Sequence, residues 1–477
     1  MAMKNPTSML RALTAAALFT LSMNAIPAAH AQNTAIIPDI NTPNIWADRW
    51  KEKLAKVKQG DLDLIMVGDS ITHFWDNPET HPIWSAYYET RKALSLGYSG
   101  ARTENILWML NNGEVDGLNP KVATVLIGTN NTDYKHWAHS NTPEEVAEGI
   151  HQVVATLRKK LPKTKIVLLS IFPREDMPGA GDVCAKASEI ASKLANNRDI
   201  FYLDINRVFL KPDGHIDKEL MPDLLHPGPV GYLAWAQAME PLLSKLMGKP
   251  QNSAATPAQK CEQDFYNWQE RHEAAVKAVE SQKPELVFVG DSITHLFGGK
   301  PEGYNHGQKV WDKYYGTRNA VNLGFGWDRT QQALWRLQNG EFDGIHPKAA
   351  VVLIGTNNLT PNNARGNTNE EIAAGVKAVC NTIHARSPAT HILLMGLLPR
   401  GENPTELNRI RIVQINRILS KLNGKNGITY MDIGSQFLDA QGKMLPDVTG
   451  DKLHPNEKGY TLWAEAIEPT LAKWLGK

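Results

Sequence analysis

A stretch of nine residues, Leu64-Ile65-Met66-Val67-Gly68-Asp69-Ser70-Ile71-Thr72, returns as Leu286-Val287-Phe288-Val289-Gly290-Asp291-Ser292-Ile293-Thr294. Each copy is a short apolar run that stops abruptly at Gly-Asp-Ser. A run of this length without polar alternation reads as a strand buried on both faces, as in a parallel sheet. Reacting groups of open α/β sheets gather at the carboxyl ends of strands. Both serines therefore stand where chemistry is expected, and the chain must build a scaffold of the same kind twice.

The rest of the sequence fits that constraint. After Ser70, strand-like runs lie at 93–96, 122–127, 165–171 and 200–204. After the strand at 285–289 that leads to Ser292, they lie at 320–323, 349–354, 392–397 and 428–432. Helical segments alternate with them. Thr142-Pro143-Glu144-Glu145 and Thr368-Asn369-Glu370-Glu371 are capping-box helix starts. Val146, Ile150, Val153, Val154, Leu157 and Leu161 then follow a 3.6-residue period. Ser70 and Ser292 are 222 positions apart, Asn130 and Asn357 227, and His226 and His454 228. Such small drift over a unit of this length implies two complete domains in tandem, not a solenoid. Strands alternating with helices imply a mostly parallel sheet with helices on both faces. The expected organisation is a first repeat over 32–248, a linker rich in Lys, Pro, Gln, Ser and Ala over 249–262, and a second repeat over 263–477.

Lys4 and Arg11 precede an apolar run from Ala12 to Met23, and Ala29-His30-Ala31 gives a small-x-small cleavage pattern. Residues 1–31 thus read as a cleavable secretory signal peptide, and export to a periplasm or outside the cell is expected. The mature chain has no apolar segment long enough to span a bilayer. A formal net charge of +1 with no basic run gives no reason to expect nucleic acid. The three cysteines, Cys184, Cys261 and Cys380, have no metal-ligand spacing and suggest no disulfide framework. Cys184 and Cys380 fall in helical segments as small buried residues.

A serine hydroxyl needs a base to become a nucleophile, and a histidine serves best when a carboxylate orients it. Asp223-Leu224-Leu225-His226 and Asp451-Lys452-Leu453-His454 each offer both groups on one turn. Acyl transfer also needs donors for a developing oxyanion. Asn130 and Asn357 follow strand ends, and the turns Gly97–Gly100 and 324–327 can present backbone N–H groups. Taken singly, each motif has a plainer reading. Gly-Asp-Ser is a turn, Gly-Thr-Asn a capped loop, and Asp-x-x-His-Pro a helix entry or a pair of metal ligands. Their joint recurrence in one order favours chemistry. Neither serine lies in a Gly-x-Ser-x-Gly elbow, and no phosphate-loop or dinucleotide fingerprint is present.

Gly-Asp-Ser, a glycine turn, Gly-x-Asn and Asp-x-x-His in this order resemble the SGNH (GDSL-like) hydrolase superfamily, over nearly the whole mature chain and twice. Ala333-Leu334-Trp335-Arg336-Leu337-Gln338-Asn339-Gly340-Glu341, Leu397-Leu398-Pro399-Arg400-Gly401 and Leu453-His454-Pro455 are similar to catalytic subunits of intracellular platelet-activating factor acetylhydrolase. The resemblance implies two three-layer α/β/α, flavodoxin-like domains. It implies nucleophiles at Ser70 and Ser292, bases at His226 and His454 with partners Asp223 and Asp451, and oxyanion donors at Gly100, Asn130 and Asn357. Trp327 stands where the family has its glycine, and its backbone N–H can still serve. Ser95 replaces an asparagine that the second repeat keeps as Asn322. No metal or organic cofactor is implied.

Export and the short-acyl resemblance point to an O-acetyl esterase acting on glycans. Aromatic residues following each serine (Phe74, Trp75, Trp84, Tyr87 and Tyr88; Tyr304, Trp311, Tyr314 and Tyr315) suit sugar stacking or, at those spacings, core packing. The rival readings are a lipid-directed esterase of the same mechanism and a glycan-binding protein in which a repeat has lost catalysis. Neither the acyl acceptor nor an oligomeric state is written in the sequence.

Overall fold

The computed structural model describes residues 32–40, 44–260, 264–302, 305–361 and 364–476. The proposed signal peptide, Cys261 and Tyr304 lie outside the described residues. Each repeat builds one five-stranded sheet. The first contains β1 (Leu64–Gly68), β2 (Ala93–Gly97), β3 (Val122–Leu126), β4 (Lys165–Leu169) and β5 (Ile200–Leu203), in the order β2-β1-β3-β4-β5. The second contains β6 (Leu286–Gly290), β7 (Ala320–Gly324), β8 (Ala349–Leu353), β9 (His391–Met395) and β10 (Ile428–Met431), in the equivalent order β7-β6-β8-β9-β10. Every pairing in both sheets is parallel. This is the doubly wound order in which the chain reverses direction across the sheet between the first and third strands. Ser70 and Ser292 follow β1 and β6, so both sit at that switch point.

The central strands are buried throughout, which explains their unbroken apolar character. In the first repeat the apolar layers on the two faces of the sheet are distinct. Ile65 and Val67 face one with Ile150 and Leu157, while Leu64 and Met66 face the other with Trp75 and Trp235. The helices Pro143–Lys160 and Asn369–Arg386 begin with the expected capping boxes, Thr142 with Glu145 and Thr368 with Glu371. Each such cap contributes about 1 kcal/mol. Cys184 and Cys380 lie buried on helices as free thiols.

The polar segment between the repeats is docked on the second of them. Ser253–Ala255 forms a single 3-10 turn, and the Ala254 carbonyl accepts from Thr330 Oγ1 at 2.7 Å. In the first repeat, Thr34–Ile36 does the same, with Ala35 O accepting from Thr103 Oγ1 at 2.8 Å. Residues 34–477 form one compact unit. The repeats meet through unlike faces. Ser85 Oγ accepts from Gly366 N at 2.9 Å, and Gln237 Nε2 donates to Gln414 at 2.9 Å. Leu407 of the second repeat packs against the apolar layer of the first.

The aromatic residues that follow each serine are largely core. Trp75, Tyr87, Tyr88, Trp311 and Tyr315 are buried, and only Phe74, Trp84 and Tyr314 are half-buried. Core packing is thus what most of them do. They fill the space between the sheet and the helices Pro229–Met247 and Glu457–Leu475, as the contact of Trp75 with Trp235 and the packing of the helix Gln308–Tyr315 on Glu457–Leu475 illustrate.

Candidate active site

The turn after β1 is forced by close packing. A Cβ on Gly68 would lie 2.2 Å from Thr72 Oγ1 and 2.3 Å from Leu126 O, and Gly290 is equally crowded. Only glycine allows the chain to turn directly from strand into the short helices Ser70–His73 and Ser292–His295. Asp69 and Asp291 cap those helices, each accepting from the N–H two residues on at 3.0 Å. Burial pushes their carboxyls up, to about 6 for Asp69 and about 7 for Asp291.

The histidine turns reach the serines from the far end of each repeat. Ser70 Oγ lies 2.9 Å from His226 Nε2, and Ser292 Oγ lies 2.9 Å from His454 Nε2. On the other side of each ring, Nδ1 lies 2.7 Å from Asp223 Oδ2 and 2.5 Å from Asp451 Oδ2. The remaining carboxylate oxygen accepts the backbone N–H of the same histidine and of the residue before it. Burial opposes the charge on Asp223 and Asp451. The His226 and Leu225 contacts, and their equivalents at His454 and Leu453, outweigh it and hold both carboxyls below the usual range. An imidazole oriented by a charged carboxylate in this way can take a proton from the hydroxyl it faces.

Three further features hold the histidine turns. Leu224 and Lys452 adopt left-handed backbone, with φ of 64° and 61°. That conformation costs a non-glycine residue roughly 1–2 kcal/mol. Their carbonyls are caught by backbone N–H groups of the segments after β4 and β9, Glu175 N and Gly401 N, both at 2.9 Å. The Pro-Arg motifs at 173–174 and 399–400 thereby help hold the turns. Beyond each histidine, Tyr232 and Tyr460 donate their hydroxyls to Ile71 O and Ile293 O at 2.5 and 2.7 Å. These links fasten the last helix of each repeat to the helix that carries the serine.

The candidate oxyanion groups assemble at the same edge. Asn130 Nδ2 donates to Ala101 O, and Asn357 Nδ2 donates to Asp328 O, both at 3.0 Å. Each carboxamide is thereby tied to the turn that carries Gly100 or Trp327. Gly100 has φ of 78° and Trp327 keeps the same left-handed backbone at 60°. The other substitution also has a local account. Asn322 bridges Thr294 O, Gly298 O and Gly324 N, whereas Ser95 reaches only Thr72 O.

Sequence reasoning passed over His73 and His295. Each accepts on Nδ1 a backbone N–H of the turn that carries Gly100 or Trp327, from Ser99 at 3.3 Å and Gly326 at 3.2 Å. Burial, with help from nearby arginines, pushes them down to about 4 and about 3, so they stay neutral and remain acceptors. The shared spelling Ser-Ile-Thr-His in both repeats was the available signal. Among the described residues, no three His, Cys, Asp or Glu side chains converge as a metal site requires.

With that geometry in place, comparison with known proteins fixes the family. The GDSL-like Lipase/Acylhydrolase family profile matches residues 66–234 and 288–462, more than half of the chain. The chain belongs to this family. It is a duplicated SGNH hydrolase and a carboxylic ester hydrolase. It is 33% identical over 226 residues to platelet-activating factor acetylhydrolase IB subunit alpha1 from Homo sapiens, covering 47% of this chain and 91% of that protein. Two solved structures are also similar. A GDSL-like lipase from Bacteroides thetaiotaomicron matches at 17% identity and a TM-score of 0.36, over 43% of this chain and 99% of that one. An acetylxylan esterase from Geobacillus stearothermophilus matches at 17% identity and a TM-score of 0.33, over 41% of this chain and 94% of that one. In this GDSL-type chain the match to that acetylhydrolase subunit spans less than half the sequence, as expected when one repeat corresponds to one whole relative.

Proposed function

We propose that both repeats are serine esterases for short acyl groups, and that their substrates are O-acetyl groups on glycans met after export. The observation that carries the mechanism is the doubled relay, with a serine-to-histidine distance of 2.9 Å in each repeat. Ser70 Oγ attacks the ester carbonyl as His226 Nε2 takes its proton, and Asp223 stabilises the imidazolium. The tetrahedral oxygen receives the N–H groups of Ser70 and Gly100 and the Asn130 carboxamide. His226 then protonates the leaving alcohol, and water repeats the sequence to release the acid. Ser292, His454, Asp451, Trp327 N–H and Asn357 play the same parts in the second repeat. No step calls on a cofactor or a metal.

The acetyl preference is supported by the similarity to an acetylhydrolase. Export is supported by the charged, apolar and small-residue pattern of 1–31. Among the described residues no helix is long and apolar enough to cross a membrane. The rival lipid reading has its own support in that relative's name, which gives platelet-activating factor as what it deacetylates. The complete relay in both repeats weighs against a binding protein with a spent site.

The test is hydrolysis of p-nitrophenyl esters with acyl chains of two to twelve carbons, followed by acetate release from acetylated xylan, acetylated sialic acid and a 2-acetyl phospholipid. The expected profile peaks at acetate and includes at least one glycan. Faster cleavage of long-chain esters would refute the short-acyl assignment. Acetate release from the phospholipid alone would replace glycan with lipid.

A further inference from the structure

The aromatic groups available to a substrate are not those that follow the serines. At the rim of each oxyanion turn stands an indole, supplied by a different position in each repeat. In the second repeat it is Trp327 itself, 47% exposed although it lies three residues past the buried end of β7. Its left-handed backbone is the conformation that Gly100 adopts freely in the first repeat. An exposed tryptophan held at a strained position gains little from packing, and such strain tends to collect where a ligand is handled. Phe265, 57% exposed, lies on the same turn, its ring atoms 3.1 Å from where a Cβ on Gly326 would stand.

In the first repeat the turn carries glycine, and the indole comes from the loop after Asn130. Trp137 Cζ2 lies 3.9 Å from where a Cβ on Gly100 would stand. The Arg102 guanidinium sits 5.4 Å from the Trp137 ring and also binds His139 O at 2.9 Å and Asn141 Oδ1 at 2.6 Å, which fixes the loop. Asp133 pins its start by accepting from Lys135 N and His136 N at 2.9 Å. The corresponding loop of the second repeat runs into the contact between repeats, where Arg365 donates to Ala86 O at 3.4 Å and Gly366 to Ser85 Oγ. It has no tryptophan to offer. The same group thus reaches the same edge by two unrelated routes.

We propose that Trp137 and Trp327 are the platforms on which the ring of the acyl acceptor stacks, and that they set a preference for cyclic polyol acetates over acyclic ones. The proposal rests on the glycan reading above and adds the residues that recognise the sugar. A flat indole face beside the oxyanion donors meets the C–H face of a pyranose while the acetyl carbonyl points at the serine. The acyclic ester has no such face to present.

The test uses single-site enzymes. Ser292→Ala leaves the first site and receives Trp137→Ala; Ser70→Ala leaves the second and receives Trp327→Gly, which keeps the backbone N–H and suits the left-handed backbone. Each is assayed on acetylated xylobiose and on glycerol triacetate. The ratio of kcat/KM for the cyclic over the acyclic substrate is expected to fall about 10-fold in each variant, mainly through KM. Trp137→Phe is expected to keep most of the ratio. Equal losses on both substrates would mean a structural role only and would overturn the proposal, as would an unchanged ratio; in both cases the glycan reading stands. If the parent single-site enzymes cleave the triacetate but no sugar acetate, the glycan reading itself fails and the platform goes with it.

Discussion

Replacing Ser70 and Ser292 together by alanine is expected to lower acetyl-ester hydrolysis by at least about 10⁴-fold, while each single replacement removes only part of it. The reasoning is chemical. Without Oγ there is no hydroxyl for His226 or His454 to activate, and oxyanion donors alone retain only a small residue of catalysis. The partial effect of the single variants follows from the geometry, because the relay is equally complete in both repeats. The two rates need not be equal, since Gly100 and Trp327 give the sites different rims. Initial rates on p-nitrophenyl acetate for the three variants provide the check. One single variant that abolishes all activity would make the other repeat a non-catalytic copy.

The second large effect concerns the scaffold. Arg336→Met is expected to destabilise the second repeat by about 3–5 kcal/mol. Arg336 is fully buried, donates from Nε to Asp328 at 2.8 Å, and pairs with the equally buried Glu341. Its guanidinium lies 3.8 Å from the centre of the Phe325 ring. Removing it takes the guanidinium from two buried carboxylates, leaving Asp328 the Trp268 indole at 2.7 Å and Glu341 the His272 ring at 2.9 Å. Asp328 already stands at about 6, raised by burial and held back by Arg336. Loss of the cation raises the folded-state pKa of Asp328 further. A carboxyl with a raised folded pKa costs stability as pH rises from its unfolded value through its folded one. The penalty is therefore larger at pH 8 than at pH 5, which denaturant melts at the two pH values will read.

The first repeat shows how this arginine can be dispensed with. Met109 and Ala101 occupy the positions of Arg336 and Asp328, and the remaining buried carboxyl, Glu114, is partnered by the Tyr98 hydroxyl. Burial pushes Glu114 up to about 7, and a protonated carboxyl needs no cation. Phe325→Tyr/Asp328→Ala/Arg336→Met transplants that arrangement and is expected to recover most of the loss. A triple variant no more stable than Arg336→Met would show that charge compensation is not what the arginine provides.

The strands were legible in the sequence because local chemistry dictates them, whereas the approach of Ser70 to His226 and of Ser292 to His454 was suggested only by the recurrence of the motifs in one order. Buried parallel strands must be continuously apolar, as 64–67 and 349–353 are. A three-residue step from Asp to His lets one turn bring the carboxylate beside the ring, as at Asp223–His226 and Asp451–His454. The long apolar periodicity after Thr142 likewise led directly to the helix Pro143–Lys160. What could not be read depends on residues far apart in the chain. The aromatics after each serine allowed two readings in the sequence, sugar stacking or core packing, and burial decides for core at Trp75 and Trp311. Trp137 lies in a polar loop with no period, and only the distance to Gly100 gives it meaning. The polar segment before the second repeat resembles a free linker in composition, yet Ala254 is held by Thr330 far along the chain. Trp327 was visible as a departure from glycine, but its left-handed backbone was not.

The central claim is that one chain carries two charge-relay serines. It is tested most directly by treating the intact protein with a fluorophosphonate and measuring its mass, then mapping the adducts by peptide sequencing. The account predicts two adducts per chain, on Ser70 and Ser292, with one lost in each single alanine variant and both lost in the double. Full labelling of the double variant, or adducts at other residues in the wild type, would contradict it.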